Sequence, residues 1–156
     1  MKVTKKAIEE AYDKIEVREV NLEEIVKIND VIPEFEKYNS DYFSERMKDK
    51  DNLVIAGYIQ GKDVGYIVGY DKFGDGSFYC WMAAINPEYR RKGVLNALMD
   101  YEEKWAKKRG YEAIKIKTRN VRREMLANLV KSGFYFTGVE EKADIKDYRI
   151  NLIKKI

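Results

Sequence analysis

Hydrophobic and polar residues change their period several times along these 156 residues. The segment "IEVREV", Ile15 to Val20, alternates apolar and charged side chains and predicts a first strand. Before it, "KKAIEEAYDK" has the spacing of a short amphipathic helix. From Leu22 to Lys50 the period is helical but breaks near "NDVIPEF", where Pro33, soon after Asp30, predicts that one helix ends and a second begins. Three β-rich runs follow, "NLVIAGYI", "DVGYIVGY" and "SFYCWMAAI", joined by the glycine-bearing "QGKD" and "DKFGDG". They predict an antiparallel meander. Within a helix from Val94 to Arg109, Leu98, Tyr101 and Trp105 continue an apolar stripe, and Gly110 stands where such a helix ends. "EAIKIKT" predicts a strand with one wet face or edge, and a helix from Val121 to Ser132 follows, with Asn120 as its capping candidate and Gly133 beyond its end. "FYFTGV" and "YRINLI" then predict a closing hairpin around "EEKADIKD". The expected class is α/β: a mixed, mostly antiparallel central sheet flanked by helices, in the order β-α-α-β-β-β-α-β-α-β-β. A parallel crossover is expected between Phe78 and Thr118.

Composition narrows the chemistry more than the fold. With 45% hydrophobic and 13% aromatic residues, the chain can fill one sizeable core, so a single domain over 1–156 is expected, with residues 1–14 as an N-terminal helical extension. Lys and Arg total 30 against 27 Asp and Glu, and a net charge of +3 means that any basic site must be local. The sequence has no histidine, which removes Ser-His, Cys-His and His-metal chemistry, and its single cysteine, Cys80, sits in an apolar run as a core thiol would. No metal is expected. No apolar run approaches the ~20 residues of a membrane helix, and "MKVTKKAIEEAYDK" lacks the apolar core of a signal peptide, so a cytoplasmic protein without a membrane partner is expected.

The stretch that carries chemistry is "YRRKGVLNAL", Tyr89 to Leu98. Pro87 ends the preceding strand, and the chain enters a helix whose first N–H groups have no internal partner. Those donors, the positive end of the helix dipole, a glycine at 93 and the cations Arg90, Arg91 and Lys92 make an anion site. The run from "AAINPEYRRKG" to "MLANLVKSGF", clearest between Ala83 and Phe134, resembles the GNAT superfamily of acyl-CoA-dependent N-acetyltransferases. In that family a strand ending in a V-x-P-like element leads to an (R/Q)-x-x-G-x-(G/A) pyrophosphate loop. The resemblance implies acetyl-CoA as cosubstrate, with its pantetheine arm between the strand ending at Ile85 and the strand ending at Thr118, against Ala83, Ala84 and Ile85. The pyrophosphate would then lie on Arg91, Lys92, Gly93, Val94, Leu95 and Asn96, with Arg90 beside them and Asn120 as a further contact. Three positions depart from the family pattern. Leu95 replaces the second glycine or alanine and must turn into the core, Leu129 replaces a tyrosine thought to protonate the departing thiolate, and Asn120 matches its position only loosely.

The implied reaction is direct attack of a primary amine on the thioester. Candidates for the acid and base are Tyr79, Tyr135 and Glu140, since the resemblance matches Tyr79 to a strand position where some members carry a glutamate base. The acceptor, a small-molecule or peptide amine, is expected between "PEFEKYNSDYFSER" and "EEKADIKD". Carboxylates and aromatics there, among them Glu34, Glu36, Asp41, Glu45, Tyr38 and Tyr42, suit a cationic amine. Two readings compete. Leu95 and Leu129 would suit a catalytically silent CoA-binding regulatory module. The basic stretch from Lys104 to Arg123 would suit nucleic acid, but no aromatic platform interleaves it, and a solvated face is the better reading. The exposed strands of the sheet are compatible with a homodimer.

Overall fold

The computed structural model describes Thr4 and residues 14–156, so the expected opening helix falls, apart from Lys14, outside the described residues. Strand β1 (Ile15–Glu19) leads into α1 (Leu22–Asn29) and α2 (Ser40–Met47), and β2 (Asn52–Ile59), β3 (Lys62–Tyr70) and β4 (Ser77–Ile85) form the meander. A 3-10 turn at Pro87–Tyr89 precedes α3 (Val94–Lys108). Then come β5 (Ala113–Arg119), α4 (Arg123–Lys131), β6 (Tyr135–Glu140), a second 3-10 turn at Ile145–Asp147, and β7 (Arg149–Lys155). The strands make one 7-stranded sheet in the order β1-β2-β3-β4-β5-β7-β6. Among the described residues only β4 with β5 is parallel, which is the crossover through α3. The expected mixed α/β class and element order are those observed.

Each face of the sheet is packed by its own helix pair. Val94 and Leu98 of α3 and Leu126 and Leu129 of α4 join Ile67, Phe78, Cys80, Ile114 and Ile116 on one face. On the other, Ile25, Ile28, Phe43 and Met47 of α1 and α2 join Tyr58, Tyr66, Val68, Tyr70 and Tyr79. Because α1 lies on β2 and β3 and α2 reaches no further than Trp81 of β4, no helix covers this second face over β5 to β6. Lys115 and Lys117 look onto that open side, since Ile114 and Ile116 face the other, so β5 is an interior strand with one wet face.

Two local expectations are corrected. The second helix starts at Ser40 and not at Pro33, because the Asn39 side chain accepts a bond from the Tyr42 N–H at 3.1 Å and supplies the cap there. Residues 30–39 form an irregular connection, anchored where Asn29 Nδ2 donates to the Glu36 carbonyl at 2.8 Å and Tyr66 Oη donates to Asn29 Oδ1 at 2.8 Å. Both Asn29 and Tyr66 are 0% exposed, so Tyr66→Phe strands a buried acceptor. Urea unfolding is expected to show a loss of about 1 to 2 kcal/mol. Asn120 likewise does not cap α4, which begins at Arg123 without a side-chain cap. Its amide instead donates to the Ile145 carbonyl at 3.1 Å and ties the β6–β7 connection to the end of β5.

Candidate active site

The parallel pairing of β4 with β5 stops at Cys80 and Ile116. Beyond that point β4 stays with β3 as far as Ile85, β5 stays with β7 as far as Arg119, and the two strands part. At the mouth of this wedge the β3–β4 register slips. Val68 opposes Met82 and Gly69 opposes Cys80, which leaves Trp81 as the extra residue of a bulge. One residue of slip reverses the alternation. Trp81 and Met82 both pack on the α1–α2 side, while Ala83 and Ile85 pack on the α3 side. The peptide edge of β4 that faces the wedge has no strand partner, and peptide groups without partners are ready to bind another extended chain.

The loop after β4 ends next to that edge. Arg91 has φ 64° and Gly93 φ 86°, so the backbone twice enters the left-handed region before α3 begins. Gly93 occupies the cap position and provides no side-chain acceptor. Among the described residues, no acceptor takes the N–H groups of Arg91 to Asn96, which face outward at the positive end of a 15-residue helix. Val94 is buried and Leu95 packs against the core from a half-buried position, leaving the front of the cradle to Arg91, Lys92, Gly93 and Asn96, all exposed. Leu95 thus turns toward the core, as its place in the loop requires.

Arg90 sits differently from the loop cations. Its guanidinium donates to both carboxylate oxygens of Glu34 at 2.8 Å, and its Nε donates to the Ile85 carbonyl at 3.2 Å. Hydrogen bonding from Arg90 holds the Glu34 carboxyl below its ordinary range. Arg122, at the start of α4, reaches the Glu34 carbonyl at 3.4 Å, so the α1–α2 connection is clasped from both sides of the wedge. Glu34 is therefore part of a strap and not an open acceptor-side carboxylate.

Of the acid and base candidates, Tyr79 lies beside the wedge, 6% exposed, edge-on to Tyr70 at 5.8 Å and to Phe73 at 5.7 Å. Burial pushes its hydroxyl up to about 12. Glu140 accepts from Asn151 at 2.9 Å and pairs with Lys117 at 2.9 Å, and those two contacts hold its carboxyl low. Tyr135 is not brought in. It is 76% exposed on the edge strand β6, separated from β4 by β5 and β7. At about 4.8 Å per strand its backbone stands roughly 14 Å from Tyr79. Leu129 is 0% exposed, inside the core under α4.

Two residues that the pattern alone did not single out line the open face. Arg46 places its guanidinium carbon 5.0 Å from the Trp81 ring centre and 5.9 Å from that of Tyr42. Lys72, from the β3–β4 turn, places its ammonium 4.8 Å from the Tyr79 ring centre. A signal for Arg46 existed, since Tyr42 and Arg46 are four apart and share a helical stripe. None existed for Lys72, a turn lysine. The basic stretch from Lys104 to Arg123 is dispersed: Lys115, Lys117 and Arg119 pair with Asp75, Glu140 and Asp147, and Arg109 with Asp51. No continuous cationic track remains along it. Among the described residues no group of three or more Cys, Asp or Glu could hold a metal ion, and no helix is long and apolar enough to cross a membrane.

Comparison with solved structures shows the same fold in several acetyltransferases. The ribosomal-protein-S18-alanine N-acetyltransferase from Escherichia coli superposes with a TM-score of 0.78 at 16% identity, covering 92% of this chain and 94% of that one. PaiA N-acetyltransferase from Thermoplasma acidophilum, solved in complex with coenzyme A, gives 0.69 at 17% identity over 92% and 99%. A Bacillus subtilis acetyltransferase in complex with CoA gives 0.71 at 17% over 92% and 98%. At such identities the likeness is one of fold. Among curated proteins none matches the sequence. The model of the Acetyltransferase (GNAT) family, however, matches residues 7–134 and so takes in the wedge, the loop and both flanking helices; the chain belongs to that family.

Proposed function

We propose that the protein is an N-acetyltransferase that moves an acetyl group from acetyl-CoA to a primary amine by direct attack in a ternary complex. The observation that carries this reading is the juxtaposition of an unpaired β4 edge with an uncapped helix start. One end offers backbone partners to an extended amide-bearing arm, at Ala83 to Ile85, and the other offers N–H groups and a helix dipole to a pyrophosphate, at Arg91 to Asn96. Arg91 and Lys92, both exposed, add charge beside it.

A lysine-type amine has a pKa near ~10.4, so at neutral pH only about one molecule in a few thousand is the free base. Tyr79 keeps its proton and can donate a hydrogen bond but cannot serve as base, and Glu140 is a weak base while Lys117 and Asn151 hold it. The proton is therefore assigned to water. Backbone N–H groups between Met82 and Ile85 stabilise the developing oxyanion, an effect of ~3 to 4 kcal/mol per donor where it has been isolated. The leaving thiol has a pKa near ~8.5 and departs as thiolate without a dedicated acid.

Thermal unfolding with acetyl-CoA, CoA and ATP in parallel tests the reading. The two CoA species are expected to raise the transition by several degrees, equivalent to about 2.7 kcal/mol at a hundredfold excess over Kd, and ATP is not. Equal shifts with all three, or none, would remove the CoA site. One observation supports a second reading: Leu129, in the core, offers no acid where the family often has one. A catalytically silent CoA-binding module would show the same stabilisation with no thiol release on any amine.

A further inference from the structure

The open face beside the wedge has a charge pattern that selects the acceptor. Strand register sets its rows: Tyr79 beside Lys115 and Ile153, Lys117 beside Asn151, and Arg119 beside Arg149. Four of its cations already have carboxylates. Lys115 pairs with Asp75 at 2.7 Å, Lys117 with Glu140 at 2.9 Å, and Arg119 and Arg149 share Asp147 at 2.8 Å each. Among the described residues, Arg46 and Lys72 have no carboxylate partner. They stand over the aromatic floor, Arg46 on Trp81 and Lys72 on Tyr79. Lys72 is half-buried, and its ammonium is held below the ordinary lysine range first by that burial and then by the positive charges of Lys117 and Arg46, with Glu140 opposing them. Arg46, Lys72 and the Lys117–Glu140 pair therefore share one field, whose excess charge is that of Arg46 and Lys72.

The carboxylates nearest this floor are paired or set at its rim: Glu140, close enough to act on Tyr79 and Lys72, is bonded to Lys117, and Glu36 is exposed beside Tyr38. Glu34 is spent on Arg90. Asp41 and Glu45 are exposed and lie one residue off the Tyr42–Arg46 stripe, about 100° around α2 at 3.6 residues per turn. Glu140 and Asp75 are neutralised by their lysines.

We propose that the acceptor is an amine that carries its own anionic group, a carboxylate or a phosphate, within a few bonds of the nitrogen, and that Arg46 and Lys72 bind this group above Tyr79 and Trp81. The inference rests on the acetyl-transfer reading. Charge-assisted bonds from a guanidinium and an ammonium fix the acceptor's orientation, and the apolar part of the acceptor lies on the rings. The same positive field disfavours the ammonium form of the nearby amine, which lowers its pKa and increases the reactive free base. In a chain without histidine this replaces part of what a general base would do. The free acid and the acidic N-terminus of a polypeptide present the same chemistry.

The test measures thiol release from acetyl-CoA with matched acceptors: glutamate against its diamide, phosphoethanolamine against ethanolamine, and amidated peptides beginning with Glu against Gln. The anionic member of the preferred pair is expected to gain about tenfold or more in kcat/KM, expressed in KM. Lys72→Gln and Arg46→Gln are expected to erase that preference while CoA stabilises both variants as it does the parent. A preference confined to the free acids or to the peptides identifies the source. Equal use of anionic and neutral members, preference for a diamine, or a preference that both substitutions leave intact overturns the proposal while acetyl transfer stands. If no amine is turned over, binding of the acetylated products decides: equal or absent binding of acidic and neutral forms overturns it. Loss of the CoA shift itself removes the acetyl-transfer reading instead.

Discussion

Glu102→Gln is expected to raise stability at pH 9 and to leave it nearly unchanged at pH 5. Glu102 is 1% exposed on the inner side of α3, and its Oε2 has no hydrogen-bond partner among the described residues. Burial pushes its carboxyl from 4.5 to about 8, with a weak contact to the Cys80 thiol opposing the shift. The sign follows from linkage. A carboxyl whose pKa is raised on folding binds its proton more tightly in the folded chain, so its contribution is fully present below the unfolded value, falls between 4.5 and about 8, and is gone above. At 1.36 kcal/mol per unit this amounts to roughly 3 to 5 kcal/mol across the window. Glutamine cannot ionise. The difference between its effects at pH 9 and pH 5 isolates the titration from any change in packing, and urea unfolding at both pH values measures it. A substitution effect that is the same at both would show that Glu102 is ionised throughout. The site is tight as well as buried. A Cβ at Gly69 would stand 2.9 Å from Oε2 and 2.8 Å from the Tyr79 carbonyl, so glycine is what lets the carboxyl lie between β3 and α3.

Gly93→Val is expected to weaken acetyl-CoA binding by more than tenfold. At φ 86° a β-branched residue is strongly disfavoured, by about 1 to 2 kcal/mol or more, and the loop relaxes toward negative φ. Space is not the obstacle, since the nearest atom to a Cβ there is the Ile15 methyl at 3.9 Å. Relaxation disperses the N–H groups of Arg91 to Asn96, and the anion site depends on their converging. Arg91→Gly separates backbone from charge: it relieves the second left-handed residue, keeps the cradle and removes one cation, so a loss of only a few-fold is expected. Calorimetric titration with acetyl-CoA compares the two. If Gly93→Val binds as the parent does, or if Arg91→Gly loses more than Gly93→Val, the phosphate is held by side chains and not by the loop backbone.

The basis of the cradle was legible in the sequence because it is local. Proline, cations, glycine and an amphipathic helix in that order dictate a strand end and an uncapped N-terminus whatever the rest of the chain does. The element order was legible for the same reason, each element having its own period. Helix starts that depend on a side-chain cap were read less well: Asn39 moved α2 seven residues beyond Pro33, because a capping bond to Tyr42 outweighs a proline's readiness to open a helix.

The face proposed for the acceptor was not legible, because it is made by register and by loops meeting over the sheet. Inside the apolar run "FYCWMAAI" no alternation marks the bulge, yet one extra residue at Trp81 decides which side chains face the wedge. Glu34 and Arg90 are 56 positions apart and their pairing has no local signature, so a carboxylate that composition offered to a cationic acceptor belongs to a strap. Lys72, Arg46 and Lys117 come from a turn, a helix and a strand and share a field only in the folded chain. What the sequence determined by itself, then, was the elements and the uncapped start of one helix, where the causes lie within a few residues of the effect. Tertiary structure alone decided the charge of the face beside the wedge, since Coulomb energies depend on distances that folding sets and on burial that removes the screening water.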